Sequence, residues 1–464
     1  MNEIEIKTDW LASNTIFYNS KCYSEKINKL IDFNSFEWDW EGLANYLDFG
    51  YCTFGKTPLK GINFLKPNSI LKQNATGEFY QEVDNDAERK LGNTLEEKST
   101  PDQAIELTRK LLNNSIPITE KNIVLPLSGG YDSRLIAILI NGKNRLKCYT
   151  YGVSDNQSES YEVVNAKFIA EKLNLDWNQI QLGSYHKYFD EWNDIFGIST
   201  HAHGMYHIEF YKNIRQLNFS AKYYISGIIG DAWAGSVNIN EIDNTDQILQ
   251  LGYTHGLNAD SKWLVNKHFP TCYKEEYFQT KKDLLKNPKW RVIEAMRFKL
   301  ILLKYLKILP EYYGFKVVAP FLDQNIALSM LNLDFEFKYK RKWQKEYFKE
   351  FDLNIEAKRA HKSFKNTLNT QAILNIPPPP LSPKILAEII DKNYVEWINK
   401  NLLQHHKRYL ESIRLFLRKR RFIWEIANPS PISQVNLKAY KSYLTLYPLQ
   451  KLIEERDNYL NGKH

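Results

Sequence analysis

The feature of this sequence with the clearest chemical meaning is an apolar run that ends in a serine, two glycines and an aspartate: residues 123–134 read IVLPLSGGYDSR. A buried strand that ends at Leu127 and a helix that begins near Asp132 would leave the two glycines in a tight turn. Backbone N–H groups at such a turn, with the helix dipole behind them, form a site for anions. Ser128 and Ser133 add hydroxyl donors. The pattern therefore predicts a phosphate-binding turn.

Asp132 adds a requirement to this site. A carboxylate in an anion site needs a cation beside it, and Mg²⁺ is the simplest choice. The spacing differs from that of a Walker loop, because the Gly-Lys-Ser/Thr ending is absent. The structural alternative is a glycine-rich connection between a strand and a helix in which Asp132 only caps the helix. We expect the binding role.

The elements around this turn alternate between strand-like and helix-like patterns. Short apolar runs are typical of buried parallel strands, and runs with a 3.6-residue period are typical of helices. Strands that are each followed by a helix predict an α/β fold, in which helices flank a parallel sheet. The strand-like segments are NIVLPLS, RLKCYTYGV, WNQIQL and AKYYISG, and the helix-like segments include PDQAIELTRKLLNNS, DSRLIAILIN and SESYEVVNAKFIAEKLNL.

Two further units flank this core along the chain. Residues 1–100 contain short strand-like runs such as YLDFGYCTFG between turn formers, and they predict a small β-rich N-terminal domain. The polar segment LGNTLEEKSTPDQ is interpreted as the linker to the core at 101–375. The run IPPPPLSP (Ile376 to Pro383) predicts an extended connector, since proline cannot continue a helix. Residues 384–464 are typical of a helical C-terminal extension.

The composition is that of an ordinary soluble protein, with 43% hydrophobic and 25% charged residues among 464. This length predicts roughly two to four domains. No window reaches the ~18 uninterrupted apolar residues of a membrane span. The four cysteines form no CxxC pair, which argues against a zinc knuckle or a disulfide framework and favours a reducing, cytoplasmic location.

The net charge of +8 is modest, and much of the excess lies between Lys407 and Arg421. A helix with a solvated basic face explains this run. Clustered Arg and Lys side chains can also neutralise phosphates, so a contact with a polyanion stays open. The rest of the sequence argues against a nucleic-acid partner.

Several motifs together resemble the asparagine synthetase family. SGGYDS resembles the pyrophosphate-binding loop of ATP pyrophosphatases, which split ATP between its α and β phosphates. YYISGIIGDAWAGS (223–236) resembles the family segment in which a strand ends in Ser-Gly-Glu-Gly-x-Asp-Glu. KVVAPFLDQNIALSMLNL resembles its Arg-x-Pro-Phe-Leu-Asp segment, and RKWQKEYFKEF and KRAHKSF follow at a similar distance. These elements cover residues 30 to 370, approximately.

The resemblance implies a fold like that of the adenine nucleotide α-hydrolases, with ATP at the glycine turn. Asp132 and Asp231 would bind Mg²⁺. Lys345 would neutralise charge on the phosphates during adenylation, and Lys342 and Lys349 are the alternatives if the alignment slips. The ATP-binding positions that the resemblance implies are Leu127, Ser128, Gly129, Gly130, Asp132, Ser133, Gly152, Val153, Ser226 and Gly227.

Two departures from the family pattern narrow the expected activity. The glutaminase nucleophile of the family is an N-terminal cysteine, whereas the second residue here is Asn2 and the first cysteine is Cys22. We therefore expect a truncated, glutaminase-like N-terminal domain without activity. Ile228 and Ala232 stand where the family has two glutamates, the first of which receives the incoming ammonium ion. Asparagine formation is therefore not expected, and an apolar wall at this position predicts a larger or less polar substrate.

The segment THAHGMYH supplies candidates for a replacement base. His203 and His207 lie in the segment that precedes the strand at AKYYISG, and an imidazole of ordinary pKa can take a proton from an attacking amine. Their spacing of four residues would also suit a pair of metal ligands or two histidines of the core.

The resemblance thus implies an amide-forming ligase. ATP would adenylate a substrate carboxylate and release pyrophosphate, and an amine or ammonia would then attack the acyl-adenylate and release AMP. The expected ligands are ATP, Mg²⁺, a carboxylate-bearing small molecule or peptide and an amine donor, with a partner protein as a further source of substrate or ammonia. Two alternatives stay open: a tRNA-modifying ATP pyrophosphatase, and an inactive scaffold that keeps the fold.

Overall fold

The computed structural model describes residues 6–218, 220–253, 256–268, 272–355, 366–402 and 434–462. Its strands form two small antiparallel sheets and one larger parallel sheet. The strands are β1 (Ile6–Lys7), β2 (Phe17–Tyr18), β3 (Tyr23–Ser24), β4 (Asn63–Phe64), β5 (Ser69–Gln73), β6 (Phe79–Val83), β7 (Ile123–Pro126), β8 (Leu146–Tyr151), β9 (Asp176–Ile180), β10 (Tyr223–Ile225) and β11 (Lys316–Val318).

Helices lie before, between and after these strands. They are α1 (Trp40–Phe49), α2 (Asn85–Thr94), α3 (Pro101–Asn114), α4 (Tyr131–Leu139), α5 (Tyr161–Leu173), α6 (Phe189–Phe196), α7 (Tyr206–Leu217), α8 (Tyr273–Leu285), α9 (Pro288–Leu303), α10 (Tyr305–Tyr312), α11 (Gln324–Leu331), α12 (Phe335–Lys338), α13 (Lys342–Lys349), α14 (Leu368–Asn375), α15 (Pro383–Leu386), α16 (Lys392–Asn401) and α17 (Gln434–Leu460).

The larger sheet confirms the predicted α/β core. Its strands are all parallel and lie in the order β11-β10-β7-β8-β9, with helices packed against them. The chain passes from β7 to β8 on one side and later from β10 to β11 on the other. The strand order therefore reverses between β7 and β10. In open α/β sheets ligands bind at the carboxyl ends of the strands beside such a reversal.

The buried strands have the residues that a two-sided sheet requires. Ile123, Val124 and Leu125 of β7 are fully buried, because helices cover both faces of the sheet. Asn113 on α3 holds the end of α4 in place, since its side chain donates to the carbonyl oxygen of Leu139 at 3.0 Å. The C-terminal end of α4, the helix that follows the glycine turn, is therefore anchored to α3.

The N-terminal residues form the two antiparallel sheets, β1-β5-β6 and β3-β2-β4. The strand-like interpretation of YLDFGYCTFG is wrong in its first half, because those residues end helix α1. Asp39 caps this helix by accepting from the backbone N–H of Gly42 at 2.8 Å, and Gly50 ends it at a φ of 81°. The predicted linker is also shorter than expected, since α2 extends through Thr94.

The N-terminal residues share one hydrophobic core with the rest of the chain. The hydroxyl group of Tyr46 on α1 donates to the carbonyl oxygen of Thr445 on α17 at 3.1 Å. The indole N–H of Trp10 donates to the carbonyl oxygen of Leu322 at 2.9 Å. The first hundred residues are therefore packed onto the α/β core and the last helix.

The C-terminal region agrees with its predicted helical character where it is described. Residues 377–382 form neither a helix nor a strand, and α15, α16 and α17 follow. The segment KRAHKSF and the basic run between Lys407 and Arg421 lie outside the described residues. Within the part of the chain that the structure describes, no helix is both long and apolar enough to cross a membrane.

Candidate functional site

The predicted phosphate-binding turn connects β7 to α4 at the point where the strand order reverses. The hydroxyl oxygen of Ser128 accepts from the backbone N–H of Gly130 at 3.1 Å. The hydroxyl group of Ser133 accepts from the backbone N–H of Ser128 at 3.1 Å and lies 3.2 Å from the Ser128 carbonyl oxygen, to which it donates. Both serine hydroxyls therefore lie inside the turn, where the resemblance places pyrophosphate.

Two contacts fix the back of this turn. A side chain at Gly129 would place its Cβ atom 2.7 Å from the Cβ atom of Asn165 on α5, which is closer than two carbon atoms can lie. Only glycine fits there. The buried guanidinium of Arg134 donates to the carbonyl oxygens of Gly129 and Leu353, each at 2.9 Å. The turn is therefore rigid on the side that faces away from the cavity.

The structure brings Asp132 and Asp231 together, although 99 residues separate them in sequence. The backbone N–H of Asp231 donates to Oδ2 of Asp132 at 2.9 Å. This approach requires glycine at position 230, because a Cβ atom there would lie 2.6 Å from the ring of Phe321 and 2.9 Å from Cγ of Asp132. Two aspartates that follow neighbouring strands thus come into contact at the strand reversal.

Asp132 has an unusual electrostatic environment. Burial raises the pKa of its carboxyl group, the neighbouring Asp231 raises it further, and Arg341 opposes both effects, with a net pKa of about 8. Its Oδ1 atom has no hydrogen-bond partner among the described residues. A buried polar atom without a partner costs free energy, so such atoms in folded proteins usually contact water, an ion or a ligand. A cation would satisfy this oxygen and favour the charged form.

The two carboxylates fit Mg²⁺ better than a metal held only by protein. In the described ranges no group of three or more His, Cys, Asp or Glu side chains could hold a metal ion. Mg²⁺ often takes only one or two carboxylates from the protein and completes its shell with phosphate oxygens and water. Asp132 and Asp231 are suited to that arrangement beside a phosphate-binding turn.

The site opens into a cavity with a volume of about 780 Å³. Most of the residues that the sequence indicates for ATP, metal or catalysis line this cavity together: Leu127, Ser128, Gly130, Asp132, Ser133, His203, His207, Ser226, Gly227 and Asp231. Gly129, Gly152, Val153 and Lys345 are not among its lining residues. The volume lies within the range of ligand pockets, roughly 300–1,000 Å³.

The positively charged side chains that line the cavity do not include the predicted Lys345. Lys345 is half-buried on α13 and lies outside the lining, whereas Arg341 and Lys299 line the cavity. The guanidinium carbon of Arg341 lies 3.8 Å from the ring centre of Tyr131, next to the glycine turn. Lys299 lies near Asp231, which raises its pKa, although burial lowers that pKa more strongly. Positive charge is thus present at both carboxylates.

Lys299 is absent from the residues that the sequence interpretation singles out, although a signal for it exists. Met296, Lys299 and Leu302 are three residues apart along α9, so they share one helical face, and all three line the cavity. A single lysine in an otherwise apolar helical stripe is a pattern that can identify such a residue.

Glu162 at the start of α5 is a second missed residue. It lines the cavity beside the ends of β7 and β8, burial raises its pKa, and its Oε2 atom has no partner within the described part of the chain. No sequence pattern distinguishes it, because acidic residues are common in the first turn of any helix.

The histidines of THAHGMYH all line the cavity. Burial, aided by Lys441, lowers the pKa of His203 to about 4. Burial, aided by His203, lowers the pKa of His207 to about 3, and burial also lowers that of His201. The imidazoles are therefore neutral at pH 7. They are weak bases, so the predicted base role stays a prediction with a weaker physical rationale.

Comparisons of this chain with protein-family models and with curated protein sequences give no significant match. The chemistry of the site therefore has to be inferred from its own geometry.

Proposed function

We propose that this protein is an ATP-dependent ligase that adenylates a substrate carboxylate and then joins the activated acyl group to an amine. One observation carries the proposal: Asp132 and Asp231 meet at the strand reversal, beside a glycine turn that opens into a large cavity. A phosphate-binding turn next to paired carboxylates is suited to a nucleotide that arrives with Mg²⁺.

The residues around the turn suggest how ATP is oriented. The β and γ phosphates bind at the turn between Ser128 and Ser133, and Arg341 neutralises their charge from the side of Tyr131. The nucleoside extends past Leu127 toward Glu162. A carboxylate repels phosphates but accepts hydrogen bonds from ribose hydroxyls or an adenine amino group, so Glu162 belongs at the nucleoside end.

The proposed reaction has two balanced steps. A carboxylate oxygen of the substrate attacks the α-phosphorus of ATP, the bond from that phosphorus to the bridging oxygen breaks, and pyrophosphate leaves. An amine then attacks the carbonyl carbon of the acyl-adenylate, AMP leaves with the former carboxylate oxygen, and the amine releases one proton. Bound Mg²⁺ would stabilise the negative charge that develops on the pyrophosphate.

The protein aligns the reacting groups and excludes water during these steps. Arg134 holds the turn in place, so the phosphates bound there are held relative to the substrate. The apolar wall around Ile228, which is 3% exposed, keeps water away from the reactive acyl-adenylate. Because Ile228 can neither bind nor deprotonate ammonium, this wall supports a product other than asparagine.

ATP binding is the first test. Isothermal titration calorimetry with a non-hydrolysable ATP analogue should show binding that requires Mg²⁺, and Asp132→Asn should weaken it by about 10-fold or more, because one of two metal-binding carboxylates is removed. Asp283→Asn, in an exposed ion pair on α8, is the matched control and should bind as the wild type does.

Pyrophosphate release is the second test. The wild-type protein should release pyrophosphate from ATP when a suitable carboxylic acid is present, and Asp132→Asn should not. A protein that binds neither ATP nor Mg²⁺ would instead be an inactive scaffold, and the proposed function would be wrong.

A further inference from the structure

Two helical faces form the part of the cavity beyond the phosphate-binding turn. His203, His207 and Phe210 are spaced by four and three residues, so they lie on one side of the segment that leads into α7. The Met296, Lys299 and Leu302 face of α9 also lines this region, and the rings of His207 and Tyr305 lie 5.0 Å apart between α7 and α10. We refer to the region between these faces as the acid chamber.

Negative charge is absent from the acid chamber as far as its lining is described. The acidic residues in the described cavity lining are Asp132, Asp231 and Glu162. The first two lie together at the proposed Mg²⁺ site, and the third lies at the nucleoside end. Among the described lining residues, none of those that form the acid chamber carries a carboxylate that could form an ion pair with an ammonium group.

The remaining polar groups of the acid chamber are of two kinds. The Nδ1 atoms of His203 and His207 are buried without a hydrogen-bond partner among the described residues, and the hydroxyl group of Tyr151 lies 3.5 Å from Nε2 of His207. These groups are neutral. Lys299 is the cation on the α9 face, and the carboxylate that interacts with it is Asp231 at the proposed Mg²⁺ site.

We propose that the acid substrate is an apolar or aromatic monocarboxylate without an ammonium group, bound with its carboxylate at Lys299 and its apolar body among the residues of the acid chamber. This assignment depends on the proposed function, because it names the class of acid that the ligase activates. Once Mg²⁺ pairs with Asp231, Lys299 is free to bind the substrate carboxylate near the phosphates.

The chamber selects against other acids by charge. Once Mg²⁺ pairs with Asp231, the described lining of the acid chamber holds no other carboxylate for the ammonium group of an α-amino acid, and a buried unpaired charge is strongly unfavourable. A dicarboxylate would leave its second carboxylate among methionine, leucine and aromatic side chains. An apolar tail, in contrast, gains free energy from each methylene group that leaves water.

Binding and turnover should be measured with a matched panel of acids. The panel comprises straight-chain acids of different lengths and 3-phenylpropanoate, with phenylalanine and aspartate as charged counterparts. Binding is measured to protein loaded with Mg²⁺ and α,β-methylene-ATP, and pyrophosphate release is measured with ATP. We expect at least one apolar acid to exceed phenylalanine and aspartate by about 100-fold or more in kcat/KM.

Variants of Lys299 test where the carboxylate binds. Lys299→Met should raise the KM for the acid by about 10-fold or more and leave the Kd for the ATP analogue within about 2-fold, whereas Lys299→Arg should recover part of the loss. Lys282→Met, on the exposed side of α8, is the control and should match the wild type. Met296→Glu should improve the use of phenylalanine, because it adds a carboxylate to the α9 face.

The outcomes separate this inference from the proposed function. If aspartate or phenylalanine is the better substrate, the protein is still a ligase but the inference about its acid is wrong. If apolar acids bind to the loaded protein yet no acid releases pyrophosphate, the inference stands and the proposed reaction fails. If no apolar acid binds to the loaded protein, the inference is wrong.

Discussion

Two buried carboxylates of this protein, Asp132 and Glu294, have opposite electrostatic environments. Burial raises the pKa of Glu294, but Lys281 and Arg297 lower it to a net value of about 2. The guanidinium of Arg297 lies 2.8 Å from Glu294 and 2.6 Å from Glu88, so the group is an ion-paired cluster between α9 and α2. Asp132 instead has a pKa of about 8 and a carboxylate as its neighbour.

The comparison shows how charge is used in two parts of one fold. At Glu294 each carboxylate has protein cations beside it, so the charges stabilise the packing of the N-terminal residues on α9. At Asp132 the protein leaves negative charge only partly compensated, and a strongly perturbed carboxylate in a cavity indicates a functional site. The same residue types thus form a compensated ion-paired cluster in one place and a partly compensated charge beside a cavity in the other.

Breaking the ion-paired cluster should give the largest effect. Arg297→Met leaves Glu88 and Glu294 with Lys281 as their remaining cation, at 3.6 and 3.4 Å, and removes both short ion pairs, so we expect the free energy of unfolding to fall by about 3–5 kcal/mol. Urea denaturation measures this change. Arg89→Met, which removes an exposed partner of Asp86 on α2, should leave the urea midpoint unchanged. Equal midpoints for the two variants would contradict the comparison.

The pH dependence of stability should differ in sign between the two carboxylates. The folded pKa of Asp132 lies above its unfolded value, so its contribution is present below about pH 4 and is lost as the pH rises through about 8. Without Mg²⁺ and nucleotide, Asp132→Asn should therefore gain stability relative to the wild type over this range, by more than ~1.4 kcal/mol. Thermal denaturation in a pH series measures the gain.

Glu294 should show the reverse dependence. Its folded pKa lies below its unfolded value, so its contribution is present above about pH 4.5 and is lost as the pH falls through about 2. Glu294→Gln should be less stable than the wild type at pH 7, and the difference should shrink below pH 4. A constant difference across that range would show that Glu294 is not charged in the folded protein.

Two variants on adjacent turns test which cation neutralises the phosphates in the proposed reaction. Arg341→Met should lower kcat/KM for pyrophosphate release by about 10-fold or more, since Arg341 lies beside the glycine turn. Lys345→Met should change it by less than about 2-fold, because Lys345 does not line the cavity. The opposite ranking would restore the assignment that the family resemblance implies.

The smallest effect is expected when the histidines are replaced and the pH profile of kcat/KM is compared with that of the wild type. With pKa values of about 4 and about 3, His203 and His207 stay neutral from pH 5 to 9, so neither should produce a limb in the profile of kcat/KM over that range. His203→Asn and His207→Asn should keep the wild-type shape. A limb near pH 6.5 that disappears in either variant would identify that histidine as the base.

The sequence predicts those parts of the fold whose residues are close together in the chain. The strands β7, β8 and β10 are predictable because a short apolar run between two helices is typical of a buried parallel strand. Helix α1 is not, because aromatic residues and Gly50 imitate a strand and turn, and only the cap at Asp39 and the tertiary packing favour a helix.

The residues of the candidate site also differ in whether the sequence predicts them. Ser128, Asp132 and Ser133 can be predicted because they belong to one turn, and Asp231 can be predicted from its motif. Lys299 and Glu162 are harder to predict, because their position depends on how α9 and α5 pack against the strand ends. Arg341 adopts a left-handed backbone conformation with a φ of 55°, which no local sequence pattern predicts.

The contact between α1 and α17 has a consequence for biosynthesis. Tyr46 finds its buried hydrogen-bond acceptor at Thr445, and Tyr459 packs on Phe33 with ring centres 5.5 Å apart. Tyr46 and Thr445 lie about 400 residues apart in the sequence, so the ribosome synthesises Tyr46 long before its partner. The apolar surface of α1 that packs on α17 therefore stays exposed until almost the whole chain has been translated. We expect chaperones to bind this surface during synthesis.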